Sequence, residues 1–341
     1  MVATVGVLIT AGACFAEDIL LVGPFSVVNK TITPPSGDKH DYMSLGSYWW
    51  PDPKKDDGLP YIRKDGLRNP ETKTNSVDRA SLGAMSNAVA ALASAYSVTS
   101  DQRYSERATL LLRTWFLDPA TKMNPNLQFG QAIPGRVEGR GIGIIDTNQF
   151  LPVIDAIDRL GPAIDADRAG LVEWFDQYLD WMLNSNHGKD EDKTRNNHGT
   201  WYDVQVSTYA IFVGKPEIAR RVLEASKTRR IKSQIEPDGR QPHELARTKS
   251  AGYSMMNLRG MTTLAALGMK VGVDLAHYKS DDGRSIQAAI DFLAPYADPN
   301  KKWPYEEIKH FDRNELLPLL QFAADNYGID HYEKYIAMLP Q

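Results

Sequence analysis

The chain has 341 residues, of which 42% are hydrophobic and 24% charged, with a formal net charge of −4. This is an ordinary globular composition, long enough for a large core. The mildly acidic balance argues against nucleic-acid binding, which goes with a strongly basic domain. It leaves an anionic polymer as a partner only where positive charge is gathered locally. The one cysteine, Cys14, excludes an internal disulfide framework.

Residues 1–16 are small and apolar, without a charge before Glu17. They resemble the apolar stretch and small-residue end of a signal peptide, lacking its basic start, and so point to a periplasmic or secreted protein. No later stretch is long and apolar enough for a membrane span. Residues 17–75 read as an extended, loop-rich segment packed on a helical domain over 76–341, the two forming one domain. Within that segment Tyr48-Trp49-Trp50 stand between prolines. Three adjacent rings cannot all enter one core face, so some meet a surface or cleft. Such rings stack on the C–H faces of sugars.

From Asn75 the pattern turns helical. Val77, Leu82, Met85, Val89, Leu92 and Tyr96 fall at helical spacing over 76–96, and Tyr104, Ala108, Leu111, Leu112 and Trp115 continue it over 101–116. Asp118-Pro119 ends that run. Residues 123–143 read as a long loop carrying Gly139-Arg140-Gly141-Ile142-Gly143. This run lacks the spacing and the preceding strand of a dinucleotide fingerprint, and its glycines permit close approach of a ligand. Helices are expected over 149–160, 165–186, 206–213, 215–232, 250–267, 282–296 and 314–338, with polar loops over 184–195 and 235–249. The basic run Arg220, Arg221, Lys227, Arg229 and Arg230 reads as a solvated face. The whole is all-α: an (α/α) toroid or incomplete barrel of antiparallel helix pairs with an extended N-terminal segment. A plain helical bundle is the alternative.

Two polar loops end at helix starts. The first runs Arg195-Asn196-Asn197-His198-Gly199-Thr200-Trp201-Tyr202-Asp203-Val204-Gln205. Asn196 or Asn197 suits a helix N-cap, and the partial positive charge of that terminus favours an anion. The second carries Arg247 and, six residues on, Tyr253. Both reach one side only if Arg247 lies at or before the helix start. Together these groups suit β-elimination on a uronate. Arg offers a bidentate, permanently charged fork for the sugar carboxylate, Asn and His add donors, and a Tyr beside positive charge can move the proton. No metal or organic cofactor is called for, and no zinc-site spacing is present.

Asn196-Asn197-His198-Gly199-Thr200-Trp201 resembles the Asn-Asn-His-x-x-Trp signature of the alginate lyase family of polysaccharide lyases, and 244–253 resembles that family's downstream Arg/Tyr segment. The resemblance implies a toroid acting on alginate, glucuronan or another polyuronate. It implies Asn197 and Arg247 as carboxylate neutralisers, His198 as helper or base, and Tyr253 as acid and base. Tyr48, Trp49, Trp50, Arg140, Gln149, Trp201, His243 and Asn257 are the accompanying candidates for substrate binding. Two other readings compete. One is a toroidal glycoside hydrolase using a carboxylate pair from Asp146, Asp203, Glu236, Asp238 and Glu244. The other is a saccharide-binding protein resting on the aromatic cluster. The oligomeric state is not legible.

Overall fold

A computed structural model of the chain describes residues 20–340. The signal-like stretch at 1–16 lies outside them. The described chain forms two units. The first holds the residues up to Arg63 together with Arg68–Gly188, and the second holds Lys64–Leu67 together with the residues from Lys189 on.

The first unit is built on two helices, α1 (Arg79–Thr99) and α2 (Gln102–Leu112). Ser100 at φ 57 closes α1 with a left-handed cap, and Asp101 then caps α2 by accepting from the Arg103 N–H. That two-residue turn folds α2 back on α1, whose buried face (Leu82, Met85, Val89, Leu92) also packs on α3 (Leu151–Leu160). A further helix, α4 (Asp165–Asn184), supplies Trp174, Phe175 and Tyr178. These interlock edge-to-face with Phe116 and Phe150 at centroid distances of 4.7–6.2 Å. Such contacts add to burial because the ring edge is positive and the face negative.

The expected loop over 123–143 contains a strand. β1 (Met43–Leu45) and β4 (Phe129–Ala132) pair in parallel and bury Met43, Leu45, Phe129 and Ala132 with Val77. A four-residue strand with a glycine and a glutamine in it carries no alternation to read. Between them β2 (Trp49–Trp50) pairs antiparallel with β3 (Ile62–Arg63). The glycine run over 139–143 serves the chain itself. A Cβ on Gly143 would lie 2.5 Å from the Gly130 carbonyl, so the close approach it permits is backbone on backbone, not ligand on backbone.

In the second unit α5 (Asn197–Phe212), α6 (Pro216–Ser226) and α7 (Ser250–Val271) pack together. The helix α5 starts nine residues before the expected 206, because Asn196 caps it. The expected polar segment 184–195 instead holds a helix, Asn186–Asp192. The segment 235–249 holds the single turn Pro242–Leu245. The helices Ile286–Leu293, Leu317–Tyr327 and Ile329–Ile336 complete the unit. The basic run is not uniformly solvated. Arg230 is 2% exposed and donates to both oxygens of the buried Asp203 at 2.8 and 2.9 Å. Among the described residues no helix is long and apolar enough to cross a membrane.

Candidate active site

The first polar loop is folded by its own side chains. Asn196, in extended backbone, accepts from the His198 N–H at 3.2 Å and so opens α5. Asn197 and His198 therefore occupy the first turn, where backbone N–H groups lack helical acceptors. Gly199 is required there: a Cβ would lie 2.2 Å from the Thr194 carbonyl oxygen and 2.7 Å from Arg230 Nη1. Through that gap the Arg230 guanidinium holds the Thr194 and Asp192 carbonyls at 3.0 and 2.9 Å. The segment 192–194 is thereby pressed against the start of α5. Glu191 immediately precedes that segment; it is 1% exposed, and its Oε1 lies 2.8 Å from His198 Nδ1.

The second loop meets the first through Glu244. This carboxylate, 1% exposed on the turn Pro242–Leu245, accepts from the Asn197 backbone N–H at 2.6 Å and from its Nδ2 at 2.8 Å. Burial pushes the Glu244 carboxyl above the ordinary carboxylate range. The two Asn197 bonds and the charges of Arg247 and His198 pull against that rise. Arg247 stands before α7, as the geometry demands. Its Nη2 donates to the Tyr253 hydroxyl at 2.9 Å, and the guanidinium lies 3.9 Å from the centre of that ring. The same guanidinium spans both oxygens of Asp65 at 2.9 and 3.3 Å, and the Thr248 hydroxyl donates to Asp65 at 3.0 Å. Asp65 reaches this position because Gly66, at φ +73, carries no Cβ to meet Thr248 Oγ1 at 2.5 Å.

Asn197, His198, Arg247 and Tyr253 thus come together in one unit. His198 and Tyr253 are partly exposed, whereas Asn197 is fully buried with one amide N–H on Glu244. Trp201 donates to the Met256 carbonyl at 3.1 Å and seats on α7 beside Gly260. Asn257 points inward, fully buried, with Nδ2 on Gln234 and Gln241 at 3.0 and 2.8 Å. His243 is exposed on the turn whose Pro242 and Leu245 line a cavity of about 410 Å³ with Arg240 and Tyr305. Tyr48, Trp49, Trp50, Arg140 and Gln149 belong to the first unit and are half-buried. There Trp49 and Arg140 both pack on Gly46, Arg140 is tied to Gln131 at 2.9 and 3.1 Å, and Gln149 lies against Gly83.

Glu191 and Asp65 carry no signal in the sequence beyond being acids in polar segments. Their roles arise from partners 7 and 182 residues away. The carboxylate pair that a hydrolase needs is not offered by the five acids considered for it. Asp146 is paired with Arg79, Asp203 with Arg230, Glu236 with Arg284, Asp238 with Arg240, and Glu244 is held by Asn197.

Known proteins resemble this chain in fold, and a family model matches its sequence. The alginate lyase family model matches residues 26–303. A crystal structure of an alginate lyase from Bacteroides ovatus matches at 43% identity with a TM-score of 0.93, covering 98% of this chain and 89% of that one. The alginate lyase A1-III from Sphingomonas species A1 shares the fold at 17% identity, with a TM-score of 0.54 and coverage of 94% and 87%. A variant of A1-III complexed with a tetrasaccharide matches at 18% identity, with a TM-score of 0.51 and coverage of 86% and 77%. No curated protein matches the chain. The all-α class with (α/α)-toroid folding read from the sequence is the class these structures support. With a family model matching most of its length and a relative at 43% identity, the chain belongs to the alginate lyase family of polysaccharide lyases.

Proposed function

We propose that the chain cleaves a uronic-acid polymer, alginate first among them and glucuronan as the alternative, by β-elimination. The observation that carries this reading is the Arg247–Tyr253 pair. A permanent cation donates to a phenolic oxygen at 2.9 Å, in the unit that also holds the His198 imidazole. The proton at C5 of a uronate is weakly acidic because the adjoining carboxylate resists further negative charge. Arg247 and His198 bind that carboxylate and take up the charge that builds on it. Donors placed in advance are worth about 3–4 kcal/mol each in such sites. Tyr253, as its phenolate, takes the C5 proton, the C4–O bond breaks as the C4–C5 double bond forms, and the phenol so formed returns that proton to the leaving glycosidic oxygen. Positioned proton transfer contributes about 10²–10⁴-fold. The Arg247 guanidinium steadies the phenolate that takes the C5 proton and that is regenerated once the proton is returned.

With one group serving both steps, the proton and the leaving oxygen depart from the same face of the ring. On the opposite C5 epimer the proton lies on the other face, and His198 takes it while Tyr253 serves as acid. Asn197 contributes by holding the Glu244 loop against the helix start, which fixes Arg247 relative to His198. Support for polymer as substrate comes from the A1-III variant bound to a tetrasaccharide and from the partly exposed rings Tyr48, Trp49 and Trp50. The test is incubation with polymannuronate, polyguluronate and glucuronan. An unsaturated, ultraviolet-absorbing product is expected from at least one of them. Absence of such a product from all three overturns the reading, and saturated products would turn it towards hydrolysis.

A further inference from the structure

We infer that Glu191 is a positioning residue that fixes which nitrogen of His198 carries the proton, leaving Nε2 as the nitrogen that meets substrate. The inference deepens the lyase reading and rests on it for the role of His198. The Glu191 carboxyl is 1% exposed, and its Oε1 is 2.8 Å from His198 Nδ1. Its other oxygen, Oε2, is buried without a hydrogen-bond partner. A buried carboxylate is an acceptor only, so the nitrogen facing it must be N–H. A ring flip would set a lone pair against that carboxylate, and leaving a buried charge without its donor is costly. The remaining ring nitrogen then holds a free lone pair, or a second proton to donate. This division is how a carboxylate sets an imidazole's tautomer and orientation in other histidine sites.

The surroundings of Glu191 are built to hold it there. The Glu191 carbonyl accepts from the Thr194 N–H at 3.1 Å and from its hydroxyl at 2.7 Å, closing a turn. Arg230, anchored on the buried Asp203, grips the Asp192 and Thr194 carbonyls on the far side of that turn. His198 is fixed at the other end by its backbone bond to the Asn196 side chain. Gly199 lets the two approach, since any Cβ there would strike the Thr194 carbonyl oxygen. A surface imidazole needs none of this support.

The test uses full-length protein with ¹⁵N-labelled histidine. The His198 signals are assigned by their loss in His198→Ala, and the tautomer is read from long-range ¹⁵N–¹H correlations at mildly alkaline pH. Wild type is expected to carry the proton on Nδ1. In Glu191→Gln, whose amide can donate or accept, the two tautomers are expected to mix. There kcat on the best polyuronate should fall by about 10–100-fold with KM within about threefold, the range seen when a group that orients an active histidine is lost. Glu191→Asp, which keeps the acceptor, should restore the Nδ1–H signature. The assignment is overturned if Glu191→Gln keeps wild-type tautomer signals, or if it mixes them while kcat is unchanged. The tautomer measurement needs no substrate. A protein that cleaves no polyuronate but shows Glu191-dependent tautomers would refute the lyase reading and leave the positioning of His198 standing.

Discussion

Each unit buries carboxylates, and Asp146 in the first is held differently from Glu244 and Glu191 in the second. In the first, both oxygens of Asp146 are fully used. Oδ1 accepts from Gln131 at 3.1 Å and pairs with Arg79 at 2.9 Å, while Oδ2 accepts from Ser44 at 2.6 Å and Tyr42 at 3.2 Å. Tyr42 is fully buried, and burial beside Asp146 drives its hydroxyl pKa far up, so it stays a donor. In the second unit, Glu244 and Glu191 bind the residues at the start of α5 and leave atoms over. Asn197 Oδ1 and Glu191 Oε2 are buried with no hydrogen-bond partner. Native proteins leave few such atoms, and each calls for an explanation. A closed network such as that of Asp146 specifies a fold. The incomplete one lies behind the partly exposed His198 and Tyr253, as the proposed site would have it, with stability given up for geometry.

That contrast is open to breaking by substitution. The largest effect is expected in the second unit, where Tyr253→Phe removes the group proposed to move the proton. Turnover should fall by about 10³-fold or more while polymer affinity stays within a few-fold. Steady-state kinetics beside a binding titration decide it, and retained turnover removes Tyr253 from its role. In the first unit, Asp146→Ala leaves Arg79 without its buried partner and should cost about 3–5 kcal/mol in urea unfolding. A loss below about 1 kcal/mol would show that the closed network is not structural. Glu244→Gln sits between these cases. Its amide still accepts one N–H, so stability should drop by only about 1–2 kcal/mol, whereas kcat should fall by about 10–100-fold because the bonds that tie Asn197 to the loop carrying Arg247 are weakened. The opposite pattern, a large unfolding penalty with normal kcat, would put Glu244 in the class of Asp146.

A further effect concerns pH. In the first unit burial pushes the Asp78 carboxyl up to about 6, against the pull of Lys30 and the Met43 N–H. A carboxyl whose folded pKa is raised favours the folded state below its unfolded value, and that contribution is lost as pH rises through about 6. The stability of wild type relative to Asp78→Asn should therefore fall between pH 4 and pH 7, by about 1.4 kcal/mol for each unit of the shift. Urea titrations at a series of pH values measure it, and a difference that grows with pH contradicts the sign.

Much of the fold was legible, because helical spacing of apolar residues is a local property. The runs over 76–96 and 165–186 contain α1 and α4 within a few residues. Side-chain chemistry pointed to a cap at Asn196 or Asn197, of which the structure uses Asn196, and helix geometry required Arg247 at or before the start of α7 if it was to meet Tyr253. What escaped was short or inward. The strand Phe129–Ala132 has no pattern of its own, and exists because Met43–Leu45 lies beside it. The partners of Asn257 were not legible either, since Gln234 and Gln241 meet it only when α7 packs beside them. Arg230 sat in a basic run, yet Asp203 drew it inside.

The sequence by itself determined the helical class, the two polar loops and the family they belong to, since each is written in neighbouring residues. Only the tertiary structure decided which acids stand behind which catalytic candidates: Glu191 behind His198, Glu244 behind Asn197, Asp65 behind Arg247. A carboxylate's partner is chosen by burial and by the absence of any other donor, and both come into being only when distant segments close around it.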